Sequence, residues 1–118
     1  MGRINKCIEL LEHGLPIIEI NLSPGSTRNN DSLSYEQGMK MAQTWADLIA
    51  IDFEHYAFDI QGLSNFMRGL TDGGPTESGH LTPTVIVNLP SNATSVEEVR
   101  YNSWQVRQVL STGIHGIE

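Results

Sequence analysis

The sequence predicts an α/β fold built on a parallel sheet, and three observations predict it. Short apolar runs recur at residues 16–22, 48–53 and 82–90, each alternating bulky and polar or small side chains, as strands do. Between them lie segments whose apolar residues repeat at three- and four-residue intervals, the period of an amphipathic helix. Strand and helix alternating at this spacing call for parallel strands joined by right-handed crossovers. With 118 residues, the chain is long enough for one modest domain over 1–118.

The elements follow in order. Ile4, Cys7, Ile8 and Leu11 fall at i, i+3, i+4 and i+7, predicting a helix with one buried stripe that stops at Gly14. In the first strand Ile18, Ile20 and Leu22 share one face, opposite Ile17, Glu19 and Asn21. Residues 23–33 form a long polar loop whose only cation is Arg28. Ser34 with Gln37 three residues on is a capping-box pattern, opening a helix through Met39, Ala42 and Trp45. The second strand puts Ile49, Ile51 and Phe53 on one side, and Ala50, Asp52 and Glu54 on the other. Asp59 caps the next helix, where Leu63, Phe66, Met67 and Leu70 make a clean stripe that Asp72-Gly73-Gly74-Pro75 ends. In the third strand Val85, Val87 and Leu89 oppose Thr84, Ile86 and Asn88. Ser95 with Glu98 opens one last helix marked by Val96, Val99, Ser103, Val106 and Leu110, and after Gly113 residues 116–118 begin a fourth strand. The order is a leading helix, three βα units and the start of a fourth strand. A (β/α)8 barrel takes about 250 residues, and the chain holds less than half of one. No glycine-rich phosphate fingerprint follows any strand, which speaks against a dinucleotide-binding sheet.

Seven Lys and Arg against fourteen Asp and Glu give a net charge of −7, which disfavours nucleic acid and anionic lipid as partners. Small molecules or proteins are expected instead. A single cysteine, no apolar signal core and no membrane-length apolar run point to a cytoplasmic location. Asn92-Ala93-Thr94 matches a glycosylation pattern but has no secretory context.

Polar groups gather where strands end: Glu19 and Asn21, Asp52 and Glu54, and Asn88. Active sites of barrel enzymes lie at that end of the sheet. Asp52, Glu54 and His55 together offer two carboxylates and a base that works near neutral pH. The bland account of any one of them is a loop or helix cap. His13, His80 and His115 fall where structural roles are expected, and Trp45, Trp104, Met39, Met41 and Met67 read as core or helix-packing residues.

The run from Trp45 to His55, ending Asp52-Phe53-Glu54-His55, resembles the D-x-E-H segment of the HpcH/HpaI aldolases, metal-dependent pyruvate aldolases. Phe66-Met67-Arg68-Gly69-Leu70, Asp72-Gly73-Gly74-Pro75, Ser78-Gly79-His80, Thr82-Pro83 and Asn102-Ser103-Trp104-Gln105 extend the likeness from about Tyr35 to the last residue, as a divergent branch. The resemblance implies that the chain is the amino-terminal part of a (β/α)8 barrel, a lyase that cleaves 4-hydroxy-2-oxo acids to pyruvate and an aldehyde through an enolate. It further implies a divalent ion (Mg, Mn or Co) and a homo-oligomeric parent. It makes His55 the catalytic base, Asp52 its orienting partner and Glu54 a supporting neighbour, while Asn88 and Arg28 are this chain's own candidates to stand in for the family's pyruvate-binding Arg. The family's direct metal ligands lie on later strands, so none is expected in this chain, and its pyruvate-binding Arg is missing from the third strand. A citrate-lyase-like acyl lyase, or a piece with only an interaction or structural role, are the alternative expectations.

Overall fold

A computed structural model describes residues 3–26 and 33–118. The elements are α1 (Lys6–Glu12), β1 (Glu19–Leu22), α2 (Tyr35–Met41), β2 (Leu48–Asp52), α3 (Ile60–Gly73), β3 (Thr84–Asn88), α4 (Val96–Tyr101), α5 (Ser103–Leu110) and β4 (Gly116–Ile117). The strands form one parallel sheet in the order β1-β2-β3-β4, with Glu19 opposite Leu48 and Leu48 opposite Thr84.

The two faces of the sheet differ as the alternation predicts. Leu22, Ile49, Ile51, Phe53, Val85 and Val87 face one way and bury themselves against Ala42 of the α2 C-cap, against Leu63, Phe66, Met67 and Leu70 of α3, and against Val109 of α5. Burying side chains of this size is the main favourable term in the fold, about 1.5–3 kcal/mol each. On the opposite face stand Ala50, Asp52, Ile86 and Asn88.

The contact between α2 and α3 is closer than their apolar stripes alone require. A Cβ on Gly38 would fall within 2.2 Å of the Phe66 carbonyl oxygen, and one on Gly69 within 2.1 Å of that of Tyr35. Backbone therefore lies on backbone. Around this crossing, the Ser34 hydroxyl accepts from Gln37 N and the Asp59 carboxylate from Gly62 N, as their capping positions predict.

Several expectations are corrected. In α1 only Cys7 is buried, and Ile4 is 81% exposed, because the helix lies across the amino end of the sheet rather than along its face. The Cys7 amide donates to Thr84 Oγ1, the Asn5 side chain accepts from the same hydroxyl, and Lys6 pairs with Asp47 at 2.5 Å. α2 stops at Met41, so Trp45 sits in the following loop and is 72% exposed rather than packed. Met39 is likewise substantially exposed, whereas Trp104, though half-exposed, packs edge to face on Phe58 and Met67 is buried as expected. The last helix is broken into two. Asn102 leaves helical geometry (φ −109°, ψ 11°), its side chain donating to Glu98 O and accepting from Gln105, a mid-helix Asn competing for backbone partners. Only Gln105 and Val109 of α5 are buried.

His13, His80 and His115 each hold a contact within the fold. His13 Nδ1 lies 2.8 Å from Glu9 O, and His115 Nδ1 accepts from Val85 N. Buried His80 bonds to Glu9 of α1.

Candidate functional site at the carboxyl end of the sheet

β2 ends in a turn that its own last residue builds. Asp52 Oδ1 accepts from the amides of Glu54 (2.9 Å) and His55 (3.0 Å), closing the chain around the carboxylate. That turn brings the His55 ring back, with Nδ1 3.0 Å from Asp52 Oδ2. Asp52 is half-buried and the imidazole is 67% exposed. Burial alone would raise the Asp52 carboxyl, but the hydrogen bonds from His55 and Glu54 outweigh it and hold the group below the ordinary carboxylate range. The carboxylate is therefore ionised near neutrality, and an ionised partner at Nδ1 is what fixes a tautomer.

β3 supplies the neighbour. Asn88 pairs with Asp52 across the sheet, and its Nδ2 donates to Glu54 Oε2 at 3.5 Å. Four of the residues singled out in the sequence, Asp52, Glu54, His55 and Asn88, thus meet at one end of one face. Glu19 and Asn21 do not join them. Register puts Glu19 level with Leu48 and Asn21 level with Ala50, one at the amino end and one at mid-strand, where the two bond to each other at 3.4 Å. Arg28 lies outside the described residues.

Beneath the turn runs an aromatic wall that strand and helix periodicity do not reveal. Phe53, Phe58 and Trp104 meet edge to face, at 5.2 Å and 6.0 Å between ring centres, so the backbone that carries the turn is anchored to the core. The clustering of Phe58 just after the Asp52-His55 turn was the only hint of it in the sequence.

As a metal centre the group is incomplete. Both Asp52 oxygens are engaged within the turn, and among the described residues no group of three His, Cys, Asp or Glu side chains is arranged to hold a metal ion. The arrangement suits orientation of a base. No helix among the described residues is long and apolar enough to cross a membrane. Comparison of the chain with family models, with curated proteins and with solved structures gave no match.

Proposed function

We propose that the chain is the amino-terminal part of a (β/α)8-barrel carbon–carbon lyase, an aldolase acting on 4-hydroxy-2-oxo acids, with His55 as base and Asp52 as the residue that positions it. One observation carries the reading: the Asp52–His55 pair, 3.0 Å apart, sits at the carboxyl end of β2 on the face that the helices leave uncovered. The strand order supports it. A doubly wound sheet reverses its order at a switch point, whereas here the four strands follow one another without reversal, as in a singly wound barrel.

The chemistry follows from the proton inventory. A carboxylate only accepts, so the hydrogen on His55 Nδ1 is committed to Asp52, and Nε2 is left as the basic nitrogen. Nε2 would take the proton of the substrate's 4-hydroxyl. The bond between C3 and C4 then breaks, releasing the aldehyde, and the electron pair passes to the 2-oxo group as an enolate. Protonation at C3 gives pyruvate. Asn88, next to Glu54 on the same face, is a hydrogen-bond donor suited to a carboxylate or keto oxygen. Residues beyond this chain would supply the further barrel strands and any ion.

The test is exchange of deuterium from solvent into the pyruvate methyl group, read by proton NMR, with the protein encoded by the reading frame that contains this chain. His55→Ala should abolish exchange while leaving the circular dichroism unchanged. Exchange at the wild-type rate in that variant would remove His55 from the chemistry. A second reading is favoured by Asp52 Oδ1, which caps its own turn twice over: the turn is purely structural, and the piece serves in protein interaction. On that reading neither variant nor wild type exchanges deuterium.

A further inference from the structure

At the opposite end of the sheet, a second set of groups falls in line. Ser78 Oγ is 2.8 Å from His80 Nδ1, and His80 Nε2 is 2.5 Å from Glu9 Oε2. Two segments contribute: Glu9 from α1, and Ser78 and His80 from the loop between α3 and β3. His80 is buried, whereas Ser78 is exposed and opens with it onto a cleft of about 320 Å³ walled by Leu10 and Leu15 and edged by Lys6 and His13. We propose that Ser78, His80 and Glu9 form a nucleophile–base–carboxylate triad, giving the chain an acyl-transfer site for small carboxylic esters. The site is independent of the Asp52–His55 turn.

Proton bookkeeping fixes the roles. The Glu9 carboxylate only accepts, so the hydrogen of the neutral ring resides on Nε2. Nδ1 is then the bare nitrogen, and the contact to Ser78 must be made with the serine hydrogen pointing at the ring. That is the ground state of an activated serine. In the familiar Ser-His-Asp arrangement the two ring nitrogens serve the other way round, but either works as the base once the carboxylate occupies its partner. Thr76 Oγ1 accepts from the His80 amide, donates to the His80 carbonyl oxygen and lies 3.0 Å from Ser78 Oγ, so it fixes the loop that holds Ser78 against the ring. The charge of Lys6 is committed to Asp47 at 2.5 Å and does not compete for Glu9.

The reaction balances without a cofactor. Ser78 Oγ bonds to the ester carbonyl carbon as its proton passes to His80 Nδ1. The alcohol departs with that proton, and water, deprotonated by the same nitrogen, then cleaves the acyl-serine to a carboxylic acid and restores the hydroxyl. The apolar part of the ester would rest on Leu10 and Leu15.

A fluorophosphonate probe tests this directly, since Ser78 Oγ would form the bond to phosphorus as fluoride leaves. The expected result is one adduct per chain, mapped by mass spectrometry to Ser78 and absent from Ser78→Ala, a substitution at an exposed position. Hydrolysis of 4-nitrophenyl acetate should be lost in the same variant. A positioned general base supplies about 10²–10⁴-fold, so Glu9→Gln, which keeps an acceptor but loses the charge, should label at least about tenfold more slowly. Protection of Cys7 from a thiol reagent reports whether α1 is still docked, because Cys7 is the residue that this helix buries against the sheet. If Glu9→Gln exposes Cys7, labelling of folded against urea-unfolded wild type decides alone. An absent adduct, an adduct on another residue, labelling no faster folded than unfolded, or wild-type labelling by a still-docked Glu9→Gln would each overturn the proposal. Ser78, His80 and Glu9 would then be only the staple that holds α1.

Discussion

Gly69→Ala is a perturbation whose size follows from the crossing of α2 and α3. The new methyl would sit 2.1 Å from Tyr35 O, 2.9 Å from Met39 N and 3.0 Å from the Gly38 Cα, against an ordinary contact distance of 3.4–4 Å. All three obstacles are backbone atoms, so no side chain can swing aside. The helices must separate by about 1 Å, and a gap of 0.5–1 Å forfeits roughly a quarter to a half of the dispersion energy across it. Overpacking of this kind costs about 1–3 kcal/mol. Replacing a mid-helix glycine returns about 1 kcal/mol of propensity. Rigid obstacles put the cost at the upper end, leaving a net loss of about 2 kcal/mol, a large part of the roughly 5–15 kcal/mol a domain holds. Urea unfolding followed by far-ultraviolet circular dichroism at fixed protein concentration measures it. Gly38→Ala should cost a similar amount, since its Cβ meets Phe66 O at 2.2 Å and Gly69 Cα at 3.0 Å. One separation accommodates both methyls, so the double variant should lose clearly less than the sum. A neutral or stabilising Gly69→Ala would mean that propensity governs the site, and strict additivity would mean that the two glycines do not share one crossing.

Three further outcomes are expected. Burial pushes the His115 imidazole below its ordinary value of 6.5, so the unfolded state takes up a proton first as pH falls; stability present above pH 6.5 should decline below it, and His115→Asn should flatten that part of the pH–stability curve, an unchanged slope speaking against the assignment. Asp52→Asn keeps an oxygen for the turn amides but leaves no carboxylate for His55 Nδ1, so deuterium exchange in the proposed lyase should fall by about 10²-fold or more, the low end of what a well-placed base provides, with the fold retained; wild-type exchange would show that Asp52 does not position the base. Among the described strands β1 and β4 each pair on one side only, and Ile4, Ile18, Leu110 and Ile117 remain partly or largely exposed, so this chain on its own should self-associate in light scattering; a monomer that unfolds cooperatively at every concentration would contradict this.

Local rules determined much of the fold. Alternation set which faces of β2 and β3 pack against the helices, and Ser34, Asp59 and Ser95 cap the helices where their spacing to Gln37, Gly62 and Glu98 predicts. The Asp52–His55 pair was legible for the same reason. Three residues apart at a strand end, the two side chains need only a turn to meet, and Asp52 itself makes that turn. Periodicity also misled, as in α1, where a perfect apolar stripe buries only Cys7. A stripe records which side of a helix is apolar, not whether another surface lies against it. Register was invisible as well, so Glu19 seemed to belong with Asp52 until strand pairing placed it two layers away. What only the tertiary structure decided are the contacts between distant segments: Gly38 on Gly69 across two helices, and Glu9 on His80, 71 residues apart. Each half of such a pair looks ordinary in its own neighbourhood. A glycine in a helix reads as a weakness and a lone histidine as filler, until the sheet brings its partner within bonding distance.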